Sequence, residues 1–221
     1  MTQMPFEATQ PNLPETLPIF PLAGVLLLPR GRLPLHIFEP RYVAMVEDAL
    51  VGDRMIGMIQ PFDPTSRDES APLYPIGCAG KITAFRDLED GRYVITLTGH
   101  CRFRVGRELD GLRGYRRIAP VWDDFREDLR EEPERPVDRI RLLDALPCYL
   151  EEHEIVADMA TIKGTPDERL VTSLAMVCPF EPNEKQALLE APTLNERAQL
   201  LTSLVEMAVA DARRGGRCVC H

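Results

Sequence analysis

Apolar residues fall into two regimes along the chain. Up to about residue 121 they come in short runs and alternations, and beyond it they recur at spacings of three and four. Eight prolines lie within the first 40 residues. Proline removes a backbone donor and fixes φ, so this stretch admits short extended segments and no long helix. Leu17–Leu22 and Leu33–Phe38 are the strands expected there. Pro40 then suits the first residue of a helix, with Glu39 before it near the positive end of the helix dipole. Val43, Val46 and Leu50 form one apolar stripe, and Gly52 is placed to end it. Met55–Gln60 reads as a strand and Asp63–Ala71 as a polar loop. Tyr74–Phe85 and Arg92–Val105 are rich in Ile, Val, Thr, Tyr and Phe. The Asp90-Gly91 turn joins them as a hairpin, and Tyr115–Val121 supplies one more strand.

After Trp122 the period changes. Asp123–Pro136 reads as a charged linker bounded by proline. Val137, Ile140, Leu143 and Leu146 mark a helix that Pro147 should kink or end. Thr165-Pro166-Asp167-Glu168 and Thr193-Leu194-Asn195-Glu196 both carry the capping-box pattern of a hydroxyl followed three residues later by Glu. Asn183–Glu190 is a shorter helix between prolines. The last helix carries the stripe Leu194, Ala198, Leu201, Val205 and Ala208. The class is therefore α+β, in five parts. Residues 1–16 are expected to form a flexible leader, 17–122 a β-rich lobe and 123–136 a charged linker. Residues 137–214 form a helical lobe, and 215–221 a flexible tail that holds cysteines.

Charge sharpens this division. The net charge is −9, yet residues 1–120 hold 14 acidic and 14 basic residues, so the second half carries the whole excess. An acidic lobe repels phosphate, which confines any nucleic-acid role to the first half. No apolar run approaches the roughly 18 residues that span a bilayer, and no secretory signal is visible. The cytoplasm is the expected compartment. Cys78, Cys101, Cys148 and Cys178 sit among apolar residues at no repeating interval and are read as small buried hydrophobes.

One segment carries a resemblance. LPIFPLAGVLLLPRGRLPLHIFEPRYVAMVEDAL, residues 17–50, is similar to the opening of the substrate-binding domain of Lon proteases. The matching positions are Leu17, Pro18, Pro21 and Leu22, the apolar run Val25–Pro29, then Pro34, Leu35 and Phe38. Stand-alone members often read as Pro34–Tyr42 does, letter for letter. Ile76–Ile82 resembles a second signature of that family, and Gly99–Val105 a third, in which Gly and Arg lead into a strand. The likeness is close over residues 17–121 and looser beyond. It implies a PUA-like pseudo-barrel lobe followed by a helical bundle, and binding of polypeptide as the role.

The chemistry of catalysis is not evident. There is no G-x-x-x-x-G-K-[ST] loop to cradle phosphates and no G-x-S-x-G elbow. The expectation is a chain without enzymatic activity and without cofactors. Glu151-Glu152-His153-Glu154 with Asp158 falls short of a zincin helix because position 157 is Ala, and reads as a solvated acidic face. Cys218, Cys220 and His221 make a weak metal candidate, since a closed zinc site needs a fourth ligand. Arg102, Arg104, Arg107, Arg113, Arg116 and Arg117 are the basic concentration. They support an RNA-binding reading only thinly, because Phe103 and Tyr115 are the only aromatics among them.

The remaining candidate is a surface for polypeptide built from Val25, Leu27, His36, Ile37, Phe38 and Tyr42. Val25–Pro29 is either a strand buried on both sides or part of an exposed apolar patch with Ile37, Phe38 and Tyr42. His36 is either a polar anchor in a peptide groove or tied by a hydrogen bond to the Glu39–Arg41 turn. Three roles follow. The first is a module for exposed hydrophobic segments of unfolded or partly folded chains. The others are a docking module for one folded partner, such as a protease, and a PUA-like RNA binder. Membrane association is not expected and nucleic acid is disfavoured.

Overall fold

The computed structural model describes residues 13–66, 68, 70–130 and 137–214. Its strands are β1 (Leu17–Pro21), β2 (Arg32–Ile37), β3 (Met55–Ile59), β4 (Ile76–Asp87), β5 (Tyr93–Leu112) and β6 (Tyr115–Val121), with helix α1 (Pro40–Val51) between β2 and β3. They form one sheet in the order β2-β5-β4-β3-β1-β6, and β6 also pairs with β5. That second pairing closes five strands into a barrel and leaves β2 outside it, paired among the described residues with β5 alone. The 20-residue β5 makes this possible. Its first residues pair with β2 and β4, and its last residues with β6. Register shifts at Ala79/Gly80, Ile82/Ala84, Val105/Arg107 and Leu109/Leu112 supply the bends a closing strand needs.

Leu17, Ile19, Met55, Ile59, Ala79, Phe103 and Ile118 fill the barrel. The Phe103 ring takes so much of that space that Gly77 has none to spare. A Cβ there would lie 2.5 Å from the ring and 2.6 Å from the Met58 carbonyl oxygen. A second, larger core runs from Phe20, Leu26–Leu28, Ile37 and α1 into the helices. This second core is shared by the two lobes.

Residues Val25–Leu28 are neither the doubly buried strand nor the open patch. They are irregular backbone, and Leu26, Leu27 and Leu28 are all buried. The segment lies directly over Gly99, where a Cβ would meet the Leu28 carbonyl oxygen at 1.9 Å. Arg30 N–H donates to the Gly99 carbonyl and Gly99 N–H to the Gly31 carbonyl. Three successive leucines find apolar neighbours in different directions here because they sit between barrel and helices.

The helices are α2 (Ile140–Glu152, with Pro147 inside it), α3 (Met159–Gly164), α4 (Asp167–Val177), α5 (Pro182–Glu190) and α6 (Leu194–Arg214). The capping box at Thr193 forms: Thr193 N–H donates to Glu196, and the Thr193 hydroxyl accepts from Glu196 N–H. The one expected at Thr165 does not. Thr165 ends α3 and its hydroxyl donates to the Thr161 carbonyl, while Pro166 caps α4. The acidic run after α2 is likewise not one helical face, because α2 ends at Glu152 and Asp158 caps α3.

Two expected loose segments are ordered where they are described. Pro14 is buried, and its carbonyl accepts from the Trp122 indole N–H at 3.2 Å. Asp123–Leu129, the first half of the expected linker, is a 3-10 helix packed on β5 through buried Phe125.

Candidate polypeptide-binding surface

The six residues expected to form one surface are divided by the fold. Leu27 and Ile37 are each 1% exposed and Tyr42 is 7% exposed. The Tyr42 ring stacks on Phe20 at 4.1 Å. Val25 is half-buried against the same core. An open apolar face built from Val25, Leu27, Ile37 and Tyr42 is therefore ruled out in this conformation, since their side chains already serve the interior. His36 and Phe38 remain, and Phe38 is 64% exposed. His36 has no hydrogen bond to the Glu39–Arg41 turn, whose own side chains pair with each other at 2.9 Å. Its tie to that turn is not made.

What those two residues share is β2. Leu33, Leu35 and Ile37 point toward the core, and Arg32, Pro34 and His36 point to the opposite, solvent face. The strand pairs with β5 from Arg32↔Thr98 to Ile37↔Tyr93, and among the described residues nothing pairs with its other edge. Phe38 follows the strand directly. At the same end of the sheet, exposed Phe85 on β4 stacks against half-buried Tyr93 at 5.0 Å. Among the described residues this edge of the sheet is open, with aromatic side chains at one end. Sequence reasoning missed Phe85 and Tyr93, and only the β2–β5 and β4–β5 registers bring them to the end of β2.

The arginine cluster behaves differently. Arg104 pairs with Asp124, Arg113 with Glu47 and Asp48, and Arg116 with Glu108, while Arg117 donates to the Asp110 carbonyl. Arg102 is buried. Its guanidinium and backbone N–H bind Asp128, and its remaining donors reach the carbonyls of Leu189, Ala191 and Pro192. Arg197 of α6 donates to the Leu188 and Ala191 carbonyls beside it. Burial, with Arg102 nearby, pulls Arg197 down to about 10. A cleft of about 410 Å3 opens over this seam, lined by Arg30, Arg102, Asp128, Glu168, Thr193 and Arg197 among others. Two of its arginines are paired within it, Arg30 with Glu168 at 2.6 Å and Arg102 with Asp128 at 2.8 Å. The contacts of Arg102 and Arg197 join the barrel to the helical lobe, while Arg107 is exposed and makes no ion pair with a described residue.

Reactive groups are muted. Cys78, Cys101 and Cys178 are free and buried. Burial pushes the Cys101 thiol up to about 12 and Cys178 to about 11, away from the thiolate that reacts or binds metal. Cys148 is also buried. Among the described residues no group of three or more His, Cys, Asp or Glu is placed to hold a metal ion. The candidates Cys218, Cys220 and His221 lie outside those residues. No described helix is long and apolar enough to cross a membrane.

The family model for the substrate-binding domain of the ATP-dependent protease La (LON) matches residues 16–207. The chain belongs to that family. Among Lon relatives, Lon protease 1 of Bdellovibrio bacteriovorus is 27% identical over 199 residues, 86% of this chain and 24% of that protein. The Lon protease of Desulfosudis oleivorans is 30% identical over 188 residues, 73% of this chain and 22% of that protein. The chain thus spans about a quarter of the length of the Lon proteases it matches. Two Lon N-terminal structures share the fold. A Lon N-terminal domain protein from Xanthomonas campestris superposes with a TM-score of 0.60 at 22% identity, covering 85% of this chain and 97% of that one. The N-terminal domain of the Mycobacterium avium complex Lon protease gives 0.61 at 15% identity, covering 86% and 98%. The α+β class and the resemblance in residues 17–50 are borne out, and membership supports a role in substrate recognition.

Proposed function

We propose that this Lon substrate-binding domain is a non-catalytic module that captures extended segments of unfolded or partly folded polypeptides along β2 and the aromatic side chains at its end. The observation that carries this reading is the open edge of β2 with Phe38 exposed beside it. Unfolded chains offer what such an edge lacks, namely free backbone groups and intermittent apolar side chains. The Lon family membership supports polypeptide as the ligand class. Chemistry on the bound chain is no part of the reading, and the cytoplasm remains the expected setting.

The test is binding of reduced, alkylated casein followed by fluorescence anisotropy. Replacing Phe38 by Ser is expected to weaken binding at least fivefold while the thermal midpoint stays within about 1 °C, because the side chain contributes little to the core. Incubation with casein or ATP should give no turnover. Binding of one folded protease at fixed stoichiometry, with no affinity for casein, would replace this reading with a docking role.

A further inference from the structure

Resting on that reading, we propose that β2 accepts an added strand from its ligand and selects segments with acidic residues at alternate positions. Pro34 indicates which backbone groups are offered. In an antiparallel ladder, successive residues direct their N–H and C=O alternately toward and away from the neighbouring strand. A proline within a strand is tolerated where its nitrogen faces away from the partner. Pro34 pairs with Thr96, so its backbone groups point away from β5, and those of Arg32 and His36 do the same. The free edge therefore presents the N–H groups of Arg32 and His36 and the carbonyls of Arg32, Pro34 and His36.

The same three residues set the charge on the solvent face. Arg32 and His36 flank Pro34, and behind them β4 carries exposed Lys81 and Arg86, with His100 of β5 close to Lys81. Neither β2 nor residues 81–86 of β4 nor residues 93–100 of β5 include an Asp or Glu. Arg32, Lys81 and Arg86 make no ion pair with any described residue, unlike Arg30, Arg92, Arg102, Arg104, Arg113 and Arg116. A protein of net charge −9 thus keeps one acid-free, basic sheet face beside its open edge.

Strand geometry converts this into a pattern. A chain added along β2 places alternate residues on each face. Positions opposite Arg32 and His36 fall four apart on the solvent face, where Asp or Glu is matched. The position opposite Pro34 shares that face, and the two beside Leu33 and Leu35 lie on the other face and call for apolar residues. A second copy of this chain is a poor occupant. Antiparallel pairing centred on Pro34 would set Arg32 against His36 and bring two prolines together without a donor.

The experiment uses fluorescein-labelled decapeptides and the full chain. A valine–glutamate alternating peptide is expected to bind at least tenfold more tightly than its valine–lysine counterpart, with the gap shrinking at 0.5 M salt. Two forms of the glutamate peptide N-methylated on alternate amides should differ, one losing binding and the other keeping it, since only one edge of a strand bonds to β2. An Arg32→Glu, His36→Glu double variant, folded by its thermal midpoint, should reverse the preference toward lysine. Equal binding of the glutamate and lysine peptides overturns the proposal, as does equal behaviour of the two N-methylated forms. So does displacement by an oligoribonucleotide at lower concentration than by unlabelled glutamate peptide. If neither peptide binds while casein does, strand addition falls and the broader function stands. If no polypeptide binds, both fall.

Discussion

Two arginines on neighbouring strands of one sheet meet opposite fates. Arg102 of β5 is 5% exposed and held by Asp128, by three carbonyls and by the Phe125 ring beneath it at 4.9 Å. Arg32 of β2 is exposed and makes no ion pair with a described residue. The difference is location. Arg102 stands where the barrel, the 3-10 helix and the loop before α6 converge, so its burial is tolerable only with every donor satisfied. Arg32 stands on an edge that no described strand covers. The seam is satisfied within the chain, and the edge is where the proposed ligand would add its own groups.

The largest test of that contrast is to remove each arginine in turn. Arg102→Ala leaves Asp128 buried without its partner and is expected to cost about 3–5 kcal/mol in urea unfolding. Arg102→Lys should recover little of that loss, since an ammonium cannot bind a carboxylate in two places and reach three carbonyls. Arg32→Ala should stay within about 0.5 kcal/mol of the parent. A comparable loss from both would erase the distinction between the two regions.

Gly99→Ala probes the seam from its backbone and ranks next. The added carbon has a main-chain oxygen at 1.9 Å, which cannot rotate away as a side chain would. Displacing Val25–Leu28 should cost about 3 kcal/mol. Hydrogen exchange would show whether the damage stays local, with faster exchange of the Arg30 and Gly99 amides if the segment lifts. Unchanged stability would mean that the leucine run is free to shift and that its burial does not fix the junction.

Local signals made the edges of this fold readable and left its junctions hidden. Tyr115–Val121 forms β6 as expected, α1 runs from Pro40 until Gly52 caps it, and Thr193 caps α6, because each depends on residues a few positions apart. The polar–apolar alternation of β2 was also on view. Asp128 lay in what read as a charged linker, and nothing nearby in sequence announces its partnership with Arg102. The Thr165 box failed for a similar reason, since the Thr165 hydroxyl donates to the Thr161 carbonyl and Glu168 accepts from distant Arg30 instead. The leucine run was ambiguous because burial on all sides and surface greasiness look alike in sequence. The basic face gathers Arg32 from β2 and Lys81 and Arg86 from β4, and only strand register assembles it.

Asp167 gives a smaller effect within the helical lobe. The Val137 N–H and the Arg139 guanidinium hold its carboxyl below the ordinary carboxylate value. A depressed folded-state pKa stabilises the protein above the unfolded value near 4 and loses that contribution as pH falls through the folded value. Asp167→Asn should therefore destabilise by about 1 kcal/mol at pH 7. The gap should narrow as the pH is lowered from 5 to 3, read from urea midpoints. A gap that widened on acidification would reverse the sign and remove Asp167 from the list of charges that steady the fold.

The smallest expected effect is also the most discriminating, because it keeps the strand and the helix constant. Arg104 lies two residues beyond Arg102 on β5 and pairs with Asp124, four residues before Asp128 on the same 3-10 helix, at 2.9 Å. Both side chains of this outer pair are about half exposed. Water screens their attraction and holding two long side chains still costs entropy, so the pair is worth at most about 1 kcal/mol. A double-mutant cycle with Arg104→Gln and Asp124→Asn should give a coupling below that bound, falling further in 0.5 M salt. The corresponding cycle at Arg102 and Asp128 should exceed it severalfold and resist salt. Equal couplings would mean that burial does not set the value of these charges, and an unpaired arginine on β2 would then lose its significance as a sign of a waiting partner.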